Sequence, residues 1–190
     1  MILLSLCIPT YNRARYLEES LSSILNSIES KNYSKVEIVI SDNASTDDTQ
    51  LVIARFRAAR PEIYWNVIRQ KNNIGPSNVT VVTNYAIAKY VWILSDDDLI
   101  AEFSIGKILS TLIDNPNTND IIVNCVTFNS STLQVSPSVL SKSKNPTYPY
   151  EFLELLGMYL TFISILIFKN QGDVNSAKFY QTEGSLDQCY

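Results

Sequence analysis

The chain has 190 residues, 46% of them hydrophobic and 18% charged, with a formal net charge of −4. That size suits one globular domain with a sizeable core, and the scarcity of glycine and proline excludes a collagen-like or disordered chain. A mild acidic excess without a run of Lys or Arg leaves no electrostatic footprint for nucleic acid.

Residues 2–8 read as a buried strand, a short apolar run stopped by Pro9. Leu17, Leu21, Ile24, Leu25 and Ile28 then recur at helical spacing and predict a helix over 13–28, with Asn12 as its cap. "VEIVI" (36–40) is a second buried strand. It ends at "SDNASTDDT", where Ser45 or Thr46 can cap a helix that turns Val52, Ile53 and Phe56 inward, Asp47 and Asp48 being good caps as well.

"EIYWNVI" (62–68) is a third strand, and in the loop "KNNIGPSN" Gly75 is free to take positive φ while Pro76 suits a first helical position. A helix over 77–88 follows, rich in β-branched residues and so dependent on packing. "YVWIL" is the fourth strand, "SIGKILSTLI" a helix, and "DIIVNCVTF" (120–128) another strand. Residues 129–149 form a Ser-, Pro- and Asn-rich loop, with a short helix near 150–157, an apolar strand near 162–168 and a polar tail after it.

The three cysteines, Cys7, Cys125 and Cys189, are far apart, and the chain has no histidine. A zinc site is therefore unexpected, Cys7 reads as a small buried hydrophobe, and the setting as reducing and cytoplasmic. The start "MILLSLCIPTYNR" lacks the basic stretch of a signal peptide, and "YLTFISILIF" is too short to cross a bilayer. Peripheral association with the inner face of the cell membrane is compatible with all of this.

Strands alternating with helices, and nearly continuous in their apolar residues, predict a parallel sheet covered on both faces. Ligands of such sheets sit at the carboxyl ends of the strands. Three loops at that edge carry chemistry: "PTYNR", "SDNAST" and "SDDD". Asp96, Asp97 and Asp98 follow a buried strand with no Lys or Arg nearby in sequence, so a hard divalent cation, Mg²⁺ or Mn²⁺, is expected to neutralise them together with a ligand's phosphates. Asp42, at a strand's very end, can accept hydrogen bonds from a base N–H or ribose hydroxyls. Pro9 and Thr10 open the first loop, where Tyr11 offers a stacking face and Arg13 a phosphate partner.

"LSLCIPTYNRARYLEESLSSIL", "VEIVISDNASTDDT", "NNIGPSN" and "YVWILSDDDLI", in this order, resemble a family 2 glycosyltransferase of the GT-A fold, over residues 3–115. The wording is similar to bacterial sugar transferases of O-antigen and capsule assembly, including the abequosyltransferase-like branch. The resemblance implies a Rossmann-like, mostly parallel sheet with helices on both faces. Residues 1–128 would be the nucleotide-sugar (donor) half, and residues 129–190 a partial acceptor-side half, the C-terminal part being incomplete. It implies that Pro9, Thr10 and Tyr11 line the base and ribose, that Asp42 binds one of them, and that Asn73 and Gly75 border the nucleotide. The acidic triplet would be the DxD-type motif, in the frame Asp96–Asp97 or Asp96–Asp98, with Asp96 near the ribose, Asp97 as chief metal ligand and Asp98 as a second.

Two departures concern the donor sugar: "AIAKYVW" lacks the usual Gly, and Asn78 is the nearest counterpart of a displaced Asn. The implied reaction is inverting, metal-assisted transfer of a sugar from a nucleotide-diphosphate sugar to a hydroxyl of a glycan or lipid-linked glycan. A carboxylate serves as general base, Asp187 preferred over Glu183. The alternative is a truncated, non-catalytic nucleotide-sugar-binding domain. A pyrophosphorylase would want a Gly-rich loop after strand one, a receiver domain acids at that place, and a P-loop enzyme GxxxxGK; the chain has none of these.

Overall fold

The computed structural model describes residues 1–126 and 163–170. β1 (Leu4–Thr10), α1 (Ala14–Ser27), β2 (Val36–Asp42), α2 (Thr49–Ala59), β3 (Tyr64–Arg69), α3 (Ser77–Asn84) and β4 (Tyr90–Ile93) alternate as expected. α4 (Ser104–Asp114), β5 (Asp120–Ile122) and β6 (Leu166–Lys169) complete the described elements. They build one six-stranded sheet in the order β3-β2-β1-β4-β6-β5. β1 pairs in parallel with both β2 and β4, and β2 with β3.

β6 departs from the parallel pattern: it lies antiparallel between β4 and β5. Its apolar run was legible, but an apolar run does not encode direction, which the chain's route decides. Of the strand foreseen over 120–128, β5 covers Asp120–Ile122, and the Val123 amide still donates to the Ile165 carbonyl (2.7 Å). The loop foreseen over 129–149, the helix near 150–157, Glu183 and Asp187 lie outside the described residues.

Alternation along β1 sorts its side chains. Leu4, Leu6 and Ile8 join Ile38, Ile40 and Trp92 in the larger core, under Leu17, Leu21, Ile24 and Leu25 of α1. Cys7 turns to the opposite face with Val39, Val82 of α3 and Val91. Burial, helped by Glu37, pushes the Cys7 thiol well above its ordinary value, so it packs as an inert hydrophobe. On this face the buried Glu37 carboxylate accepts from the Ser5 hydroxyl and from the amides of Ile87 (2.7 Å) and Ala88 (3.0 Å), fixing the turn into β4.

The order β3-β2-β1-β4 means that the chain, after reaching the edge at β3, crosses back to the far side of β1. The strand order therefore reverses between β1 and β4, and sheets of this kind bind their ligands beyond the carboxyl ends at such a reversal. Thr10 ends one of these strands and the Asp96 loop follows the other.

Candidate active site

The loops at this edge are tied to each other before any ligand enters. The Asn43 amide donates to the Thr10 carbonyl (2.9 Å), and the Gln70 amide to the Asp42 carbonyl (2.8 Å). Asn12 adopts a left-handed backbone, φ 51°. Its amide donates to Ser45 Oγ (2.8 Å), while its own Oδ1 accepts from the Thr46 amide (2.7 Å). Asn12 thus bridges the first two loops; the residue at the cap position of α1 is Arg13.

Neither Ser45 nor Thr46 caps α2. The residue at its cap position is Asp48, and Asp47 before it holds the first turn: Oδ1 accepts from the Thr49 amide (3.1 Å), and Oδ2 accepts from the Ala14 amide of α1 (3.0 Å). One carboxylate thus serves the first turns of two helices. Partial burial opposes its charge, but hydrogen bonds from Thr49 and Ala14 prevail and hold it below the ordinary 3.8. As pH falls, the unfolded chain takes up this proton first. The contribution is therefore complete above the unfolded value and is lost as pH drops through the folded one. Asp47→Ala is expected to cost about 1 kcal/mol at neutral pH, the size of a lost helix cap. It should also flatten the acid side of the stability profile; urea unfolding at neutral pH and near pH 3 checks both.

The 73–75 loop is held by a residue that the sequence reading passed over. Asn43 Nδ2 donates to Asn73 Oδ1 (2.8 Å) and to the Gly75 carbonyl (3.3 Å), and its Oδ1 accepts from the Ile74 amide (2.8 Å). Gly75 sits at φ +58°, and nothing lies within 4 Å of where a Cβ would be, so backbone conformation alone demands glycine there. Pro76 stands one place before the helix, as its cap residue. Asn78 turns to β2, where it donates to the Ser41 carbonyl (2.8 Å) and accepts from the Ser41 hydroxyl (2.6 Å).

Asp42 is fully buried. Oδ1 accepts from the Ser45 amide (2.9 Å), Oδ2 accepts from the Gln50 side-chain amide, and Arg69 Nε stands 3.7 Å away. Arg69 also donates to the Ser45 carbonyl (3.0 Å). Asp42 therefore braces the second loop from inside, a role its place at the strand end did not disclose.

Between the end of β1 and the loop after β4, Thr10 Oγ1 donates to Asp96 Oδ2 (2.7 Å). Arg13 Nη1 donates both to Asp96 Oδ1 (2.8 Å) and to Asp97 Oδ2 (2.9 Å). This corrects the expectation that no basic residue neutralises the acidic triplet: the neutralising residue lies 83 positions away in sequence and arrives through the β1–β4 pairing. Asp98 is set apart, with no ion pair to Arg13 among the described residues. Its charge acts instead on Cys125, whose thiol burial, and then Asp98, raise. Pro9 is partly buried at the end of β1, and Tyr11 is 41% exposed beside it.

The two paired carboxylates are pushed in opposite directions. Asp96 is 4% exposed, and this burial raises its pKa in spite of hydrogen bonds from Arg13 and Thr10. Asp97 is opened to solvent; desolvation still opposes its charge, but the Ser95 hydroxyl and Arg13 outweigh it and lower the value. Arg13 is held charged, chiefly by its bond to Asp96. Asp97 is thus the more firmly ionised of the pair.

Among the described residues no group of three or more acidic, His or Cys side chains could hold a metal alone. Asp96 and Asp97 nevertheless fit a hard divalent cation, because their oxygens converge on one positively charged nitrogen. Mg²⁺ is commonly held in this way, by one or two carboxylates with the remaining positions filled by water and substrate phosphates.

Comparison with known proteins is consistent along the chain. The family model described as "Glycosyl transferase family 2" matches residues 5–169. The abequosyltransferase RfbV of Salmonella typhimurium is 42% identical over 117 residues, 60% of this chain and 33% of that protein. The GalNAc(5)-diNAcBac-PP-undecaprenol beta-1,3-glucosyltransferase of Campylobacter jejuni is 31% identical over 115 residues, 60% of this chain and 34% of that protein. The chain therefore spans about a third of the length of these curated relatives. Among solved structures, S. aureus TarS 1–349 in complex with UDP superposes with a TM-score of 0.68 at 19% identity, covering 88% of this chain and 47% of that one. The mannosyltransferase PcManGT of Pyrobaculum calidifontis in complex with GDP-Man and Mn²⁺ gives 0.60 at 19% identity, covering 87% and 44%. At such identities these two establish the fold, which is GT-A.

Proposed function

The chain belongs to glycosyl transferase family 2, and from that premise we propose that it moves a sugar from a nucleoside-diphosphate sugar to a hydroxyl of a bacterial surface glycan or its lipid-linked precursor. The observation that carries this reading is the convergence of Thr10, Arg13, Asp96 and Asp97 where the strand order reverses between β1 and β4, with Asn43 joining Thr10 to the 73–75 loop. The curated relatives named above, one an abequosyltransferase and one a glucosyltransferase on an undecaprenol-linked acceptor, support the acceptor class.

In this mechanism Tyr11 stacks on the base, with Pro9 and Thr10 along the ribose, and Asn73 and Gly75 border the nucleotide. Asp42 keeps the second loop in place and faces the base or ribose where Gln50 gives way. Asp97, and Asp96 beside it, hold Mg²⁺ or Mn²⁺, with Asp98 as a further ligand. Bound there, the cation would supply Lewis-acid neutralisation of the charge that builds on the leaving diphosphate. Substitution at the anomeric carbon is inverting, through an oxocarbenium-like state, and a carboxylate takes the acceptor's proton. The assignment of that base to Asp187, or to Glu183, falls outside the described residues. No helix among the described residues is long and apolar enough to cross a membrane; a lipid-linked acceptor would be met by peripheral contact at the inner face of the cell membrane.

The test is a thermal-shift panel of UDP, GDP, CDP and dTDP, each with Mn²⁺ and with EDTA. A ligand at a hundredfold excess over its Kd adds about 2.7 kcal/mol, roughly 5–10 °C for a chain of this size. One nucleotide is expected to raise Tm by this amount with Mn²⁺ only, which also names the donor class. No shift with any nucleotide in a folded sample rejects the reading.

A further inference from the structure

Arg13 stands at the one point that Asp96 and Asp97 share. The same atom, Nη1, lies 2.8 Å from Asp96 Oδ1 and 2.9 Å from Asp97 Oδ2. The backbone beneath it is clamped: the amide of Asn12 is held by Ser45 and the amide of Ala14 by Asp47. The side chain above is 43% exposed and lies against the Tyr16 ring, its Cζ 5.3 Å from the centroid. This is a long, half-exposed arm on a fixed base.

Resting on the donor-site reading above, we propose that Arg13 is an internal counter-cation. It competes with the divalent cation for Asp96 and Asp97 and is passed to the donor's diphosphate when that cation enters. A cation arriving alone must displace the guanidinium, leaving Arg13 beside a new positive charge without a partner. A cation arriving with a diphosphate supplies that partner, since a guanidinium binds phosphate oxygens in bidentate fashion. Cation and nucleotide therefore bind cooperatively, and each raises the other's affinity by the same factor. The device would keep the paired carboxylates from holding a cation that brings no donor.

Titration of the protein with MnCl₂ alone, followed by the EPR signal of free Mn²⁺, tests this. Arg13→Gln removes the competing charge a few ångströms from the site and is expected to tighten binding of Mn²⁺ alone by about tenfold or more. Adding the nucleoside diphosphate that the thermal panel selects should then improve Mn²⁺ affinity less in Arg13→Gln than in the wild type. Arg13→Lys keeps the charge and should stay near the wild-type affinity for Mn²⁺ alone. Unchanged or weaker Mn²⁺ binding in a folded Arg13→Gln protein overturns the inference. Equal tightening by Arg13→Lys overturns it as well, because charge would not then be the cause. A wild type that binds no nucleotide with Mn²⁺ rejects the donor-site reading instead, and the titration with Mn²⁺ alone still judges Arg13.

Discussion

Asp97→Ala is expected to abolish metal-dependent nucleotide binding and to lower sugar transfer by roughly three orders of magnitude, while the protein stays folded. The size follows from a bound metal's contribution of several kcal/mol to the reacting charge, at about 1.4 kcal/mol per decade of rate. Folding should survive because Asp97 is 39% exposed and its side-chain partners among the described residues are Arg13 and the Ser95 hydroxyl on its own loop. Surface ion pairs of this kind contribute about 0–1 kcal/mol. Calorimetric titration of nucleotide with Mn²⁺, set beside a thermal melt, separates the two effects. Full nucleotide affinity in the variant would remove Asp97 from the metal site.

Asp42→Ala is expected to act the other way round, through the fold first. This carboxylate is sealed from solvent, and its removal leaves the Ser45 amide and the Gln50 side chain without their acceptor and Arg69 without its counter-charge. Arg69 is 58% exposed, so water can replace its counter-charge, and the cost falls on the donors left without an acceptor, about 1–3 kcal/mol. The loss should appear as a drop in the urea midpoint with an unchanged slope. Nucleotide binding should fall as well, because the loop that carries Asn43 then loses its brace, and Asn43 holds residues 73–75. Gln50→Ala is the informative companion. It removes the hydrogen bond to Oδ2 of Asp42 while leaving the Ser45 contact and Arg69 at 3.7 Å, so a gain of nucleotide affinity would mark Asp42 as a ligand as well as a brace.

Much of this fold was legible because burial imposes a period. α1 was readable from Leu17, Leu21, Ile24 and Leu25, all of which are buried. β2 was readable from an apolar run broken only by Glu37, and every one of its residues is buried. Illegible features were those fixed by what meets what across the sheet. The acidic triplet seemed to lack a cation because Arg13 is remote in sequence; the β1–β4 pairing brings it within 2.9 Å. The double role of Asp47 depends on two loops lying side by side; local spacing offered Ser45, Thr46, Asp47 and Asp48 alike and did not disclose the bond to Ala14. Asn43 escaped notice for the same reason, since its three partners lie some thirty residues further on. For Asp42, sequence disclosed the chemistry of the position but not its depth.

The antiparallel β6 bears on how the chain is made. β4 finishes with Trp92 donating to the Ser164 carbonyl (2.8 Å), and the Ser95 amide next to Asp96 donates to Ser164 Oγ (2.8 Å). Translation proceeds at about 5–20 residues per second, so these partners leave the ribosome several seconds after β4 does. During that interval β1, β2 and β3 can pair, whereas β4 presents an open apolar edge of the kind that invites association with other chains. The loop that carries the paired aspartates is therefore the last part of this edge to be secured. Nascent chains halted before residue 164 should be both aggregation-prone and unable to set Asp96 and Asp97 in place, however complete their first three strands.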